Sequence, residues 1–347
     1  MKKSNYDFTE DYERIKKIIE IKQLSNKTVF ITGATGLVGS CIVKTIMYYN
    51  SVYDLNCKLI LLVRNYEKAK SVFGDSTNIE YIESDIIHFI PSFLNIDYII
   101  HAASQTNSKS MIEQPVETAI VSLDGTLKML SLAHINKVTS MVYLSSMEVY
   151  GQNFIDEPIN EVHIGNIDHL NIRSCYPESK RMCENLCIDY YVEYNVPVKI
   201  ARLAQVFGPG IQKSDQRLVA QFMRNVSNDE NIVIHSSGKS SRCYIYTSDC
   251  VSAILTLLLK GHNGQAYNCA NASTYCSVYE LATTVMKMCS NDHANVIVEN
   301  QNPELYGFPK DSFLRLDSNK LNQLGWTALY TLEEMIMNTY KYVSGNN

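Results

Sequence analysis

VFITGATGLVGSC, residues 29–41, joins a short apolar run to a glycine-punctuated turn, followed by Ile42, Val43, Ile46 and Met47 at helical spacing. An apolar run of this length reads as a strand buried on both faces, so the order is strand, glycine turn, helix. Gly33 permits the tight turn, and Gly36 lets the backbone approach a phosphate with no Cβ in the way. Gly39 lets the helix close on the strand. The free N–H groups at the start of that helix, with their partial positive charge, then suit a pyrophosphate. Thr35, Leu37 and Val38 fill the turn and the helix start, and are read with the glycines as dinucleotide contacts.

A chain of 347 residues has room for one large α/β domain and a smaller lobe. Its net charge of −5 presents no basic surface to a nucleic acid. Residues 1–26 are charged, and no apolar run approaches the ~20 residues of a membrane-spanning helix. The expectation is a cytoplasmic protein with no leader and no membrane partner. Ten cysteines show no CxxC pair and no metal-ligand spacing. Most stand in apolar stretches, and Cys183 and Cys187 lie one helical turn apart, so reduced core thiols and no metal are expected.

Ahead of the glycine turn, residues 7–24 place Tyr12, Ile15, Ile18 and Ile19 near one helical face, with Thr9 as N-cap. This reads as an added amphipathic helix that packs on the body. Apolar runs at 58–63, 79–82, 97–103, 141–144 and 198–201 read as strands, and 117–134 as a helix. Strands alternating with helices make a doubly wound parallel sheet. The second strand ends on Arg64, where an acidic side chain would hold the ribose hydroxyl of NAD. A guanidinium there suits the 2′-phosphate of NADP(H), with Lys68 and Lys70 close behind. NADP(H) is therefore favoured, with NAD(H) the alternative.

Tyr176 and Lys180 stand four apart in what reads as one helix, so both point to one face. A phenol with pKa near ~10 is a poor base at neutral pH, and an ammonium held beside it favours the phenolate. The pair can then take a hydroxyl proton and return it. Ser146 ends the fifth strand at the carboxyl edge of the sheet, where open α/β sheets bind ligands. With glycines at 33, 36 and 39 after Thr32 and this Ser-Tyr-Lys set downstream, the chain resembles the extended short-chain dehydrogenases/reductases. Within them it is similar to the epimerase/dehydratase family acting on nucleotide sugars, from Val29 to about Trp326.

That resemblance implies further roles. Ser146, Tyr176 and Lys180 fall on the family's catalytic Ser/Thr-Tyr-Lys set, with Lys180 also bonding the nicotinamide ribose. Asp85 and Ile86 stand where an Asp-Ile pair meets adenine, and Ala102 and Ala103 where small residues let the cofactor lie on the backbone. Arg242 matches the arginine that clamps the sugar-nucleotide diphosphate, Gln205 replaces an Asn, and Ser104 joins them on the substrate side. His101, Asp249 and Asp317 are read as structural, and Ser122 stands where the family has Asn. Helices at 115–134 and 177–194, apolar beyond one face at Met182, Leu186, Tyr190 and Tyr191, imply a homodimer through a four-helix interface.

The expected architecture is α/β, with an N-terminal helical extension at 1–26 and a Rossmann domain at 27–205 to which 240–268 returns. A substrate-binding lobe is expected at 206–239 and 269–347. The expected activity is an NAD(P)-dependent oxidoreductase or epimerase of nucleotide-activated sugars in polysaccharide biosynthesis, with hydride transfer at carbon 4. Glu148, in SMEVYG at 146–151, keeps an alternative open: a 4,6-dehydratase or decarboxylase whose carboxylate abstracts the carbon 5 proton. Met147 cannot donate a proton, and Phe313 and Leu314 stand where decarboxylases have an arginine. A non-catalytic dinucleotide sensor would lack the Tyr or the Lys, and this chain keeps both.

Overall fold

The computed structural model describes residues 6–290, 294–299 and 311–345. Residues 1–5 of the expected extension, and 291–293, 300–310 and 346–347 of the expected lobe, lie outside the described residues.

Seven parallel strands form the large sheet: β1 (Thr28–Thr32), β2 (Lys58–Val63), β3 (Ile79–Glu83), β4 (Tyr98–His101), β5 (Ser140–Ser146), β7 (Val198–Leu203) and β11 (Gln265–Cys269). Their order is β11-β7-β5-β4-β1-β2-β3. Strand residues alternate between two cores. Val29, Ile31, Leu59 and Leu61 face one layer, and Phe30, Ile60 and Leu62 face the other. The first layer holds α2 (Leu37–Tyr53) and α8 (Thr247–Lys260), through Ile42, Ile46, Ile254 and Leu255. After β4 and the short α4 (Ser108–Glu113), α5 (Pro115–Asn136) and α6 (Cys175–Tyr194) cover the other face with Met129, Leu130, Cys183 and Cys187. Covered on both sides, the central strands have no polar face, which is why β1 and β2 read as apolar runs, whereas the edge strand β3 carries exposed Glu80 and Glu83. The order reverses between β1 and β4, and such a reversal opens a crevice at the carboxyl ends of the strands.

The fourth strand is shorter than 97–103. It stops at His101 because the Ala103 N–H turns to the Thr32 hydroxyl, at 3.1 Å, in place of a strand partner. A smaller sheet joins β12 (Asn271–Ser277), β10 (Ser241–Tyr246), β14 (Phe313–Leu316) and β6 (Pro158–Ile159), with β8 (Gln205–Phe207) beside β10. A separate pair links β9 (Ile232–Ile234) to β13 (Val296–Val298). Around them α7 (Leu218–Ser227), α9 (Val278–Cys289) and the helix Leu332–Ser344 pack Phe222, Met223, Leu281, Val285, Met335 and Ile336 into a second core. The segment 240–268 thus divides: β10 belongs to the smaller sheet, while α8 and β11 return to the large one.

At the N-terminus, α1 (Thr9–Lys16) packs on α8 and is shorter than the apolar pattern indicates. Thr9 is its first residue and not its cap. The Asp7 carboxylate accepts the Thr9 N–H at 2.9 Å, and Phe8 holds the cap position. A separate 3₁₀ turn, Ile21–Leu24, continues the buried face begun by Ile15 and Ile19. All ten thiols are free, with Cys175 and Cys276 half-buried and the others buried. Among the described residues no helix is long and apolar enough to cross a membrane.

Candidate functional site

The glycine turn sits at the reversal point of the sheet. Gly33 has φ +66°, and a Cβ there would lie 2.7 Å from the Ala102–Ala103 peptide at the end of β4. A Cβ on Gly39 would run into the Gly33 carbonyl oxygen. Gly36, by contrast, meets only that oxygen, at 3.3 Å, and otherwise faces open space. It caps α2 without a side-chain acceptor, so the first-turn N–H groups beginning at Leu37 are left for a ligand. The Thr35 carbonyl takes a hydrogen bond from the Gln212 amide at 3.2 Å, which ties the loop to the chain leaving β8. A cradle that a Cβ would fill, with unclaimed N–H groups aimed into it, fits a dinucleotide pyrophosphate.

Beside it, Arg64 is exposed just past β2, and Asn65 caps α3 (Tyr66–Phe73) by accepting the Lys68 N–H at 2.7 Å. Lys70 is drawn away to Asp75, at 3.0 Å. Beyond β3, the Asp85 carboxylate accepts the Ile87 N–H at 3.1 Å, and Ile86 is buried against Gly125. His101, at the foot of the crevice, is buried between the hydroxyls of Thr32 (2.7 Å) and Thr126 (3.3 Å). Burial, then the nearby Lys180, pushes it down to about 3, so it is a neutral strut. Ser122 turns its hydroxyl to the Thr118 carbonyl at 2.9 Å.

Ser146 closes β5, and Tyr176 and Lys180 share one buried face of α6. The Lys180 ammonium donates to the Leu144 carbonyl at 2.7 Å and stands 5.8 Å from the centre of the Tyr176 ring. Burial lowers it to about 8. The expected lowering of the phenol by this lysine is not what the structure has. Burial, reinforced by the Glu148 charge, holds the Tyr176 proton above its ordinary value, and the Ser146 hydroxyl pulls modestly the other way. The reason is geometric: the ammonium is aimed at Leu144 and at the Tyr143 ring, 4.7 Å away.

Glu148 lies on the 3₁₀ turn Met147–Tyr150, whose start is capped by the Ser146 hydroxyl at 3.2 Å. Its carboxylate pairs with Arg173 at 3.0 Å, and that guanidinium stands 5.8 Å from the Tyr176 ring centre. Arg173 Nη1 is buried with no partner among the described residues. Met147, in contrast, is buried in the apolar core below the large sheet. Sequence reading passed over Arg173. Its one local signal is Asn171, a turn former two residues earlier whose side chain accepts the Arg173 N–H at 2.9 Å.

Arg242 lies on β10 with its Nε buried and without a hydrogen-bond partner among the described residues. Tyr244, two residues on and therefore on the same face of the strand, has a buried hydroxyl in the same condition. Strand register sets Gln205 opposite Tyr244. Ser104, past the end of β4, likewise has a buried hydroxyl without a partner among the described residues. A buried donor without an acceptor is costly, so each of these groups suits a ligand rich in oxygen. Asp249 accepts the N–H groups of Leu329 and Tyr330, and Asp317 that of Asn319, so both are occupied by backbone.

The family described as "NAD dependent epimerase/dehydratase family" matches residues 29–270. UDP-glucuronic acid decarboxylase 6 of Arabidopsis thaliana is 30% identical over 89% of this chain and 87% of its own length. Human dTDP-D-glucose 4,6-dehydratase is 26% identical over 92% and 91%. Among solved structures, UDP-glucose 4-epimerase of Thermotoga maritima superposes with a TM-score of 0.77 at 20% identity, covering 92% of this chain and 99% of that one. UDP-glucuronic acid 4-epimerase of Bacillus cereus, in complex with UDP-glucuronic acid and NAD, gives 0.76 at 18%, covering 92% and 100%. At these identities the two structures speak for the fold.

Proposed function

Because the chain belongs to the NAD-dependent epimerase/dehydratase family, we propose that it oxidises carbon 4 of a nucleotide-activated uronic acid, and that the keto-sugar then loses its carboxylate. The observation that carries this reading is the meeting of Ser146, Tyr176, Glu148 and Arg173 at the sheet edge beside the glycine turn.

Gly33, Thr35, Gly36, Leu37, Val38 and Gly39 would hold the pyrophosphate, with Asp85 and Ile86 at the adenosine end and Ala102 and Ala103 beneath the dinucleotide. When bound, the nicotinamide supplies the hydride acceptor and later the donor. Tyr176, as its phenolate, takes the sugar hydroxyl proton while the Ser146 hydroxyl bonds the same substrate oxygen. The Ser146 hydroxyl and the Arg173 guanidinium are the groups that favour that form against burial. Lys180, anchored on the Leu144 carbonyl, would help hold the nicotinamide ribose. A carboxylate on carbon 5 of a 4-keto sugar stands β to the ketone. Its loss as carbon dioxide leaves the electron pair in an enolate, which is quenched by a proton at carbon 5. Glu148 is the group placed to exchange that proton, and the spare Arg173 Nη1 is a donor for the carboxylate before it leaves. Arg242, Gln205 and Ser104 would take the diphosphate and sugar oxygens.

A second reading, 4-epimerisation of the same acidic sugar, is supported by Leu314, a buried apolar residue of β14 where decarboxylases of the resembling family have an arginine. Incubation with UDP-glucuronic acid, UDP-glucose and dTDP-glucose, each with NAD+ or NADP+ and read by mass spectrometry, separates these outcomes. Loss of carbon dioxide supports the first reading, and an isomer of unchanged mass the second. Loss of water from a neutral sugar, or no product at all, overturns both.

Two finer points complete the proposal. The exposed guanidinium of Arg64 supports a preference for NADP(H) over NAD(H). The apolar side chains left exposed on α5 (Val116, Ile120, Leu127) and α6 (Met182, Tyr191, Val192) support a homodimer.

A further inference from the structure

We infer that the largely buried pair Glu184–Arg202 is a positioning device that aligns the end of β5 with α6 and sets a carboxylate one helical turn from the Lys180 ammonium. The inference rests on the reading that Ser146, Tyr176 and Lys180 carry the chemistry.

The geometry is a zipper. Tyr176, Lys180 and Glu184 recur every fourth residue along α6, and all three are buried. Against them lie the last three residues of β5. The Leu144 carbonyl takes the Lys180 ammonium at 2.7 Å, the Ser145 hydroxyl donates to Glu184 Oε1 at 2.6 Å, and the Ser146 hydroxyl stands by Tyr176. Arg202, in register with Ser145 across the strand pair, grips Glu184 through Nε (3.0 Å) and Nη2 (2.7 Å). Its Nη1 donates to the Tyr150 hydroxyl (3.0 Å) and the Glu161 carbonyl (2.8 Å). Tyr150 closes the turn that carries Glu148 and donates its own hydroxyl hydrogen bond to Asn268 Oδ1, at 2.6 Å. One ion pair therefore touches both the strand end bearing Ser146 and the turn bearing Glu148.

Stability alone does not account for it. A buried carboxylate and guanidinium are often matched or bettered by apolar side chains of the same volume. The pair does something an apolar pair cannot, because it places a charge one helical turn from a buried ammonium. The titratable groups facing Lys180 are Tyr143 from β5, His101 from β4, and Tyr176, Cys183, Glu184 and Cys187 from α6. Of these, Glu184 is the one carboxylate, and with the two thiols it opposes the burial that drives the lysine toward its neutral form. Arg202 offsets part of that charge.

The test is the pH dependence of turnover with the substrate identified for the wild type, compared among E184Q, E184D and R202Q. If Lys180 must be protonated, the wild type has an alkaline limb that disappears in K180M. E184Q is expected to move that limb to lower pH by about one unit, about a fivefold loss at its former midpoint and about tenfold well above it. E184D, which keeps the charge but shortens the reach to Ser145, lowers kcat and leaves the limb in place. R202Q moves the limb upward, which keeps the test open should E184Q not fold. A limb that stays put in both E184Q and R202Q, or that shifts alike in E184Q and E184D, overturns the inference. A wild-type limb that survives K180M instead overturns the reading beneath it.

Discussion

Arg173 Nη2 lies 3.0 Å from Glu148 Oε2, while Nη1 of the same guanidinium is buried and bonded to nothing among the described residues. Both side chains are about one-third exposed, at 34% and 35%, so the pair itself contributes little to stability. Its consequence is local. The carboxylate raises the proton affinity of Tyr176, the guanidinium lowers it, and one donor remains for an incoming oxygen.

Replacing Arg173 with methionine should therefore discriminate between substrates. A charge-assisted hydrogen bond of ~1.5–3 kcal/mol corresponds to roughly ten- to hundredfold in affinity for an acidic nucleotide sugar. The neutral analogue lacks the carboxylate and should lose far less. Binding titrations with UDP-glucuronic acid and UDP-glucose provide the comparison. Equal losses on both would reduce Arg173 to a support for Glu148.

Tyr176→Phe should abolish turnover, by ~3 orders of magnitude or more, and leave dinucleotide binding nearly intact. The phenolic oxygen is the proton carrier in the proposed reaction, while the glycine turn that would hold the cofactor belongs to another part of the chain. Fluorescence titration of the dinucleotide alongside an activity assay checks both halves. Near-normal turnover at unchanged fold would remove Tyr176 from the reaction.

What sequence reading reached, and what it missed, divides by the range of the interaction. Gly33, Gly36 and Gly39 were legible because each answers a local demand of a strand-turn-helix unit. Tyr176 and Lys180 were legible as a pair because four residues on a helix mean one face. Arg173, Tyr244 and Glu184 were not. Their importance lies in partners or unfilled donors set by other elements: Glu148 on a distant turn, Gln205 on a neighbouring strand, Arg202 across the sheet. The fate of β10 was hidden for a similar reason, since an apolar run looks alike whichever sheet receives it. Thr9 misled because Ser, Thr, Asp and Asn are interchangeable as cap signals, and here Asp7 accepts the N–H.

The contribution of Asp249 to stability should fall as pH rises from about 4 to about 7. Its carboxyl is fully buried and is raised to about 7 by burial, while the N–H groups of Leu329 and Tyr330 favour the charged form. The folded value lies above the unfolded ~3.9, so the folded state holds the proton more tightly. That contribution is complete below the unfolded value and is lost as pH rises through about 7. Asp249→Asn should flatten the slope of Tm against pH in this window. An unchanged slope in thermal melts would show that Asp249 does not titrate there.

Light scattering at micromolar concentration should find a dimer, and Met182→Glu should produce a monomer. Met182 on α6 is 46% exposed and Ile120 on α5 is 48% exposed, so a carboxylate placed there meets apolar surface if these helices pair. A monomeric wild type, or a dimeric variant, would place the interface elsewhere or nowhere.

The cofactor preference turns on Arg64. It follows β2, exposed, at the position where an acidic side chain would accept the ribose hydroxyls of NAD, and no hydrogen bond or ion pair among the described residues engages its side chain. A guanidinium–phosphate contact of this kind is worth roughly 1.5–3 kcal/mol, or about one to two orders of magnitude in affinity. Lys68, also exposed, adds a smaller share that salt screens. NADP(H) should therefore bind more tightly than NAD(H), and Arg64→Ala should erase the difference while leaving NAD(H) affinity almost unchanged. Raising the ionic strength should narrow the gap in the wild type but not in the variant. If titration finds NAD(H) the tighter ligand, Arg64 is a solvated residue that does not set the preference. Decarboxylation through Glu148 would stand unaffected, because there the hydride taken from carbon 4 is returned within the same turnover.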